Sequence, residues 1–101
     1  MSWIDSFEFD DDFQDLRNDP KGAAFWADRI HIEVAPGHPL HGHEWTPVAK
    51  YHPQDEVVIR HGADVALVHL TFTQVPPEHP PWPSTTFFAS VDEFKAHFEF
   101  R

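Results

Sequence analysis

The stretch EVVIRHGADVALVHLTFT, residues 56–73, constrains the fold of this chain more than any other. Two β-branched runs flank His61-Gly62-Ala63-Asp64, the pattern of a β-hairpin with a three- to four-residue loop. In the second run Ala66, Val68, Leu70 and Phe72 alternate with Val65, Leu67, His69, Thr71 and Thr73. Successive side chains on a strand point to opposite faces, so this strand is apolar on both and belongs at the centre of its sheet. Residues 48–51 read as a short strand entering the His52-Pro53-Gln54-Asp55 turn, and residues 85–89 as a later strand. In residues 26–34, Trp26, Ile30, Ile32 and Val34 alternate with Ala27, Arg29, His31 and Glu33, which predicts a half-buried strand interrupted by Asp28.

Proline and glycine punctuate the remainder. Pro20 and Gly22 break the chain ahead of residue 26, and PGHP, HGHE and TP in close succession make residues 36–47 a loop. Residues 75–83, VPPEHPPWP, hold five of the ten prolines and cannot pair inside a sheet, so they form a stiff crossing that plugs Trp82 into the core. Their two P-x-x-P matches also fit polyproline recognition, a weaker reading of the same composition. Ser90-Val91-Asp92-Glu93 has the form of a capping box, opening a final helix that buries Val91, Phe94 and Phe98. The expected fold class is α+β: an antiparallel sheet of four or five strands with one face packed on a C-terminal helix, preceded by an acidic helical or extended arm. All 101 residues fit one domain, divided into an arm over residues 1–20 and a sheet plus helix over residues 21–101.

The arm is the chain's main functional signal. Its first nineteen residues hold Asp5, Glu8, Asp10, Asp11, Asp12, Asp15 and Asp19 against Arg17 alone, which supplies −6 of the formal −10. Between those charges lie Trp3, Ile4, Phe7, Phe9, Phe13 and Leu16. Disordered tails are poor in such residues, so either the rest of the chain or a partner covers them. Phe9, Phe13 and Leu16 at i, i+4, i+7 allow a helix with residues 10–12 beside its start, and an extended arm is equally compatible. On the exposed side the seven carboxylates form a surface that mimics a phosphate track and suits a basic groove, with any exposed rings as anchors.

Composition excludes several chemistries. The chain has no cysteine, hence no disulfide, thiolate nucleophile or Cys-based metal site, which suits a reducing compartment. None of its serines lies in a nucleophile elbow, and its four isolated glycines form no phosphate loop. Asp28, Glu33, Glu56 and Asp64 lie on or near expected strands and leave an acid/base pair open, although surface carboxylates on a sheet's open face are the far commoner case. The seven cations are scattered, so direct binding to nucleic acid or an anionic membrane is not expected. No apolar run reaches the roughly 18 residues of a membrane span and no signal peptide is visible, giving an expectation of a cytoplasmic protein. Nine histidines make the charge conditional: full protonation takes −10 to −1, so attraction to a cationic partner fades towards about pH 5.

The alternative to a carboxylate surface is a metal site at His38, His41, His43 and Glu44. On an extended chain His41 and His43 point the same way, and a further imidazole or carboxylate completes a Zn²⁺, Ni²⁺ or Cu²⁺ site. The cupin pattern, which this loop resembles superficially, needs a Glu several residues later and a fourth ligand on another strand; here Glu44 follows at once.

The segment VHLTFTQVPPEHPPWPSTTFFASVDEFKAHF, residues 68–98, resembles the C-terminal half of small bacterial immunity proteins that neutralise secreted toxins. The likeness centres on Trp82-Pro83-Ser84-Thr85-Thr86-Phe87 and Asp92-Glu93-Phe94. It implies a cytoplasmic α+β antitoxin that acts by steric and electrostatic blockade, and acidic immunity proteins of nuclease toxins fit the charge. The expected function is thus a non-enzymatic inhibitor of a basic protein, a nuclease or another nucleic-acid-binding protein, requiring no cofactor. A phage-encoded inhibitor of a nucleic-acid-binding defence complex fits the same residues.

Overall fold

The computed structural model describes residues 3–33, 40, 44–62, 64–70 and 84–99. A 3-10 turn, Trp3–Asp5, leads to β1 (Phe13–Asp15), α1 (Pro20–Glu33), β2 (Thr46–Tyr51), β3 (Glu56–His61), β4 (Asp64–His69), β5 (Ser84–Phe88) and α2 (Val91–Glu99). The strands form one antiparallel five-stranded sheet in chain order, β1-β2-β3-β4-β5, so the architecture is α+β. Among the described residues no helix is long and apolar enough to cross a membrane.

The hairpin register is set by local chemistry. His61 pairs with Asp64, a tighter connection than the three- to four-residue loop expected. Gly62 has φ of 60°, the left-handed conformation that primed hairpin turns require at their first central position. The alternation on β4 also sorts as its pattern predicts. Val65 and Leu67 join one core with Ile4, Val48, Ala49, Val58, Phe88 and Phe94. Ala66, Val68 and Leu70 join a second with Ile30, Leu40, Val57 and Ile59. Both faces of the sheet are therefore covered, where the sequence predicts one.

That second cover is α1, and it corrects the strand expected over residues 26–34. Asp19 is its N-cap: the carboxylate accepts the Gly22 N–H at 3.0 Å, while the Asp19 carbonyl takes Ala23 N–H at 2.9 Å. Pro20 then occupies the first helical position, where its missing N–H costs nothing and its fixed φ suits the helix. Read from that start, Ala23, Trp26, Ala27 and Ile30 share one stripe, and Asp28 turns outward. Val34 lies outside the described residues.

Of the two forms open to the arm, the structure has a short helical turn at Trp3–Asp5 and an extended run after it, with no helix through Phe9, Phe13 and Leu16. After the 3-10 turn the chain extends across the sheet, and Phe13, Gln14 and Asp15 pair with Tyr51, Lys50 and Ala49. Asp10 caps a turn, its Oδ1 accepting Asp12 N–H at 2.9 Å, rather than starting a helix. Pairing satisfies backbone groups along β2, and ring burial against α2 rewards extension over a helix of isolated charge. Opposite this arm, β2 carries an irregularity: Pro47 pairs with Ile59 but Ala49 with Val58. The extra residue, Val48, joins Ala49 on the arm's side of the sheet, and its carbonyl accepts Leu16 N–H at 2.9 Å.

At the other end of the chain the cap is close to its expected form. Ser90 Oγ accepts Glu93 N–H at 3.3 Å, and Glu93 Oε2 reaches back to Ala89 N–H at 2.5 Å, one residue before the usual reciprocal partner. The Trp82 crossing, including both P-x-x-P matches, lies outside the described residues.

Candidate functional site

Phe94 of α2 is the hub of the arm's face. It is buried and its ring lies 4.8–6.4 Å from those of Trp3, Phe7, Phe9, Phe13, Phe88 and Phe98, with tilted and edge-on geometries that aromatic quadrupoles favour. The arm therefore delivers its rings to α2, answering what covers them. Trp3, Phe7, Phe9 and Phe13 are only half-buried, and a groove of about 410 Å³ opens between the arm and α2. Phe7, Phe13, Phe94 and Phe98 line it with Glu8, Asp10, Glu99 and Lys95.

Two arginines tie the arm to the sheet. Arg17 grips Asp15 in a fork, Nε to Oδ1 at 2.9 Å and Nη2 to Oδ2 at 2.6 Å, while Nη1 donates to the Ile4 carbonyl at 2.9 Å. Bidentate pairs of this kind fix geometry as well as charge. Its hydrogen bonds hold the Asp15 carboxyl below the usual carboxylate range, and the same bonds raise the Arg17 guanidinium. Arg60 on β3 pairs with Asp5 and donates through Nη2 to the Gly62 carbonyl at 2.8 Å. Ile4, between these two contacts, is completely buried.

The seven carboxylates thus divide. Asp5, Asp15 and Asp19 have internal partners in Arg60, Arg17 and the start of α1. Asp10 spends one oxygen on its turn. Among the described residues, Glu8, Asp11 and Asp12 are exposed with neither a cation nor a donor at their carboxylates. Residues 8–12 therefore gather the unneutralised charge on the rim of the aromatic groove and beside it. Sequence alone shows the acid run but not this division, because Arg60 lies 55 residues from Asp5.

Elsewhere the charged groups have structural roles. Lys50 is buried with its Nζ 5.4 Å from the Trp26 ring, donating to the Tyr51 and Gln54 carbonyls at 2.8 Å each. Burial lowers its pKa, with Asp55 and Glu56 opposing. Glu56, expected at the surface, is buried, 3.7 Å from His69 Nδ1 across the β3–β4 pair. Asp28 and Asp64 are exposed, as expected of surface carboxylates, and the Glu33 side chain lies outside the described residues.

Of the metal alternative, His38, His41 and His43 lie outside the described residues. Glu44 is exposed and its carbonyl oxygen is 2.8 Å from His61 Nδ1. Among the described residues no group of three His, Asp or Glu side chains is placed to hold a metal. Comparison with known proteins finds no matching family model, no matching curated protein and no matching solved structure.

Proposed function

We propose that this protein is a non-enzymatic, cytoplasmic inhibitor of the immunity-protein kind that binds and blocks a basic nucleic-acid-binding protein, such as a nuclease toxin. One observation carries the reading: the carboxylates of residues 8–12 left unneutralised stand beside a half-open aromatic groove. A carboxylate surface competes with phosphate for a basic cleft and speeds encounter with its owner. Half-buried rings supply the desolvated anchor that charge alone lacks, since aromatic side chains dominate interface hot spots. The acid-rich composition and the absence of a nucleophile motif in the sequence support blockade over chemistry. So does the resemblance of residues 68–98 to immunity proteins.

The test is capture of partners at low salt on the immobilised protein and, side by side, on the Asp11→Lys/Asp12→Lys variant. The expected result is a basic protein held by the wild type alone, whose nucleic-acid binding or cleavage falls as the wild type is titrated to equimolar. A retained protein whose activity is unaffected at equimolar inhibitor overturns the proposal.

A further inference from the structure

We infer that the groove between the arm and α2 is a socket for an arginine side chain of the basic partner. The inference rests on the reading of the protein as a binder of basic proteins and adds what it recognises. A volume of about 410 Å³ sits low in the range of about 300–1,000 Å³ typical of ligand pockets, enough for one long side chain and its neighbours. Its floor is four phenylalanine rings, and its rim sets Glu8, Asp10 and Glu99 against Lys95 alone. An apolar floor under a net negative rim fits a side chain with a hydrocarbon stem and a cationic head.

The chain itself stacks an arginine on a ring of the same row. Within the same aromatic row, the Arg17 guanidinium carbon lies 4.9 Å from the centroid of the Phe9 ring while Asp15 binds the fork from the side. Ring face and carboxylate together form an arginine site already filled from within. Phe9 is 5.1 Å from both Phe7 and Phe13, so the same row supplies rings to the groove, where the Glu8 carboxylate meets neither a cation nor a donor among the described residues. A planar guanidinium stacks on an aromatic face and pairs with carboxylates in two-point fashion, whereas an ammonium offers a compact, more strongly hydrated charge. The groove therefore prefers arginine to lysine, which a merely acidic surface does not.

Hexa-arginine and hexa-lysine peptides of equal charge are the probes, titrated by calorimetry into the wild type, Glu8→Gln/Glu99→Gln and Asp11→Asn/Asp12→Asn. The socket predicts that the wild type binds hexa-arginine about threefold to tenfold more tightly. It predicts that the Glu8→Gln/Glu99→Gln variant loses this preference, and that Asp11→Asn/Asp12→Asn weakens both peptides by similar factors while keeping it. Equal binding of the two peptides by the wild type overturns the socket and leaves the acidic-binder reading standing. So does a preference untouched in the groove variant. Failure of both peptides to bind at low salt overturns the two together.

Discussion

The two faces of the sheet are closed by different means. On the α1 side, Val57, Ile59, Ala66 and Val68 meet Ile30 and Trp26 of a helix that starts from its own local cap. On the arm side, Val58, Val65 and Leu67 meet rings delivered from both ends of the chain, held by Arg17 and by Arg60 from a distant strand. The α1 side is packed mainly by aliphatic side chains, with Trp26 and Trp45 at its margin. Large rings brought in on an extended arm cannot interdigitate as tightly, and the groove is what remains. The same arm carries the unneutralised carboxylates, so the face that bears the aromatic groove is also the charged one. The α1 cover and the proposed recognition surface thereby lie on opposite sides of one sheet.

The largest expected effect probes the hub of the aromatic face. Phe94→Ala removes a buried ring with six aromatic neighbours and should cost about 3–5 kcal/mol by urea unfolding, with amide protection lost first along the arm. Ile30→Ala on the other face should cost about 2–5 kcal/mol without selectively exposing the arm. If Ile30→Ala released the arm and Phe94→Ala did not, the division between faces would be wrong.

Next in size, Asp19→Ala should destabilise by about 1 kcal/mol through loss of the α1 cap. Gly22→Ala is the sharper companion. Alanine favours a helix interior by about 1 kcal/mol over glycine, yet a Cβ here lies 2.5 Å from Asp19 Oδ2 and 3.0 Å from Leu16 Cδ2. No gain in melting temperature is therefore expected.

Arg17→Met should cost about 1 kcal/mol or less, because the Asp15 pair is substantially exposed, but should raise amide exchange in the Trp3–Asp5 turn. The pH dependence has a defined sign. Hydrogen bonds from Arg17 depress the folded pKa of Asp15 below its ordinary 3.8, so its contribution is present above that value and is lost as pH falls through the lower, folded one. Acid titration of stability should consequently be shallower at its most acidic end in Arg17→Met than in the wild type. The smallest effect is Phe25→Ser on the exposed side of α1, expected within about 0.5 kcal/mol of wild type and without influence on partner binding. A loss of binding there would move recognition to the α1 face.

Legibility in the sequence followed the range of the interactions. The 61–64 hairpin and the Ser90 cap depend on neighbours within a few residues, and both could be read directly. The α1 helix was legible too, in Asp19-Pro20 followed by Ala23, Trp26 and Ile30, but Pro20 invites reading as a breaker when it marks a start. A chance alternation through residues 26–34 then mimics a strand. The groove was legible only as ingredients: aromatic and acidic residues at one end of the chain, an aromatic helix at the other. What joins them, Phe94 against the arm and Arg60 against Asp5, spans most of the sequence and leaves no local pattern.

If recognition belongs to the arm's face rather than to net charge, the kinetics of association carry the difference. The rate constant for binding the captured basic protein should be measured across ionic strength for wild type, Asp11→Lys and Asp28→Lys, two variants with the same change in charge on opposite faces. Asp11→Lys should slow association about several-fold at low salt and flatten its salt dependence, as expected for a charge that steers encounter, while Asp28→Lys stays close to wild type. Equal slowing by the two variants would contradict it, leaving overall acidity as the cause.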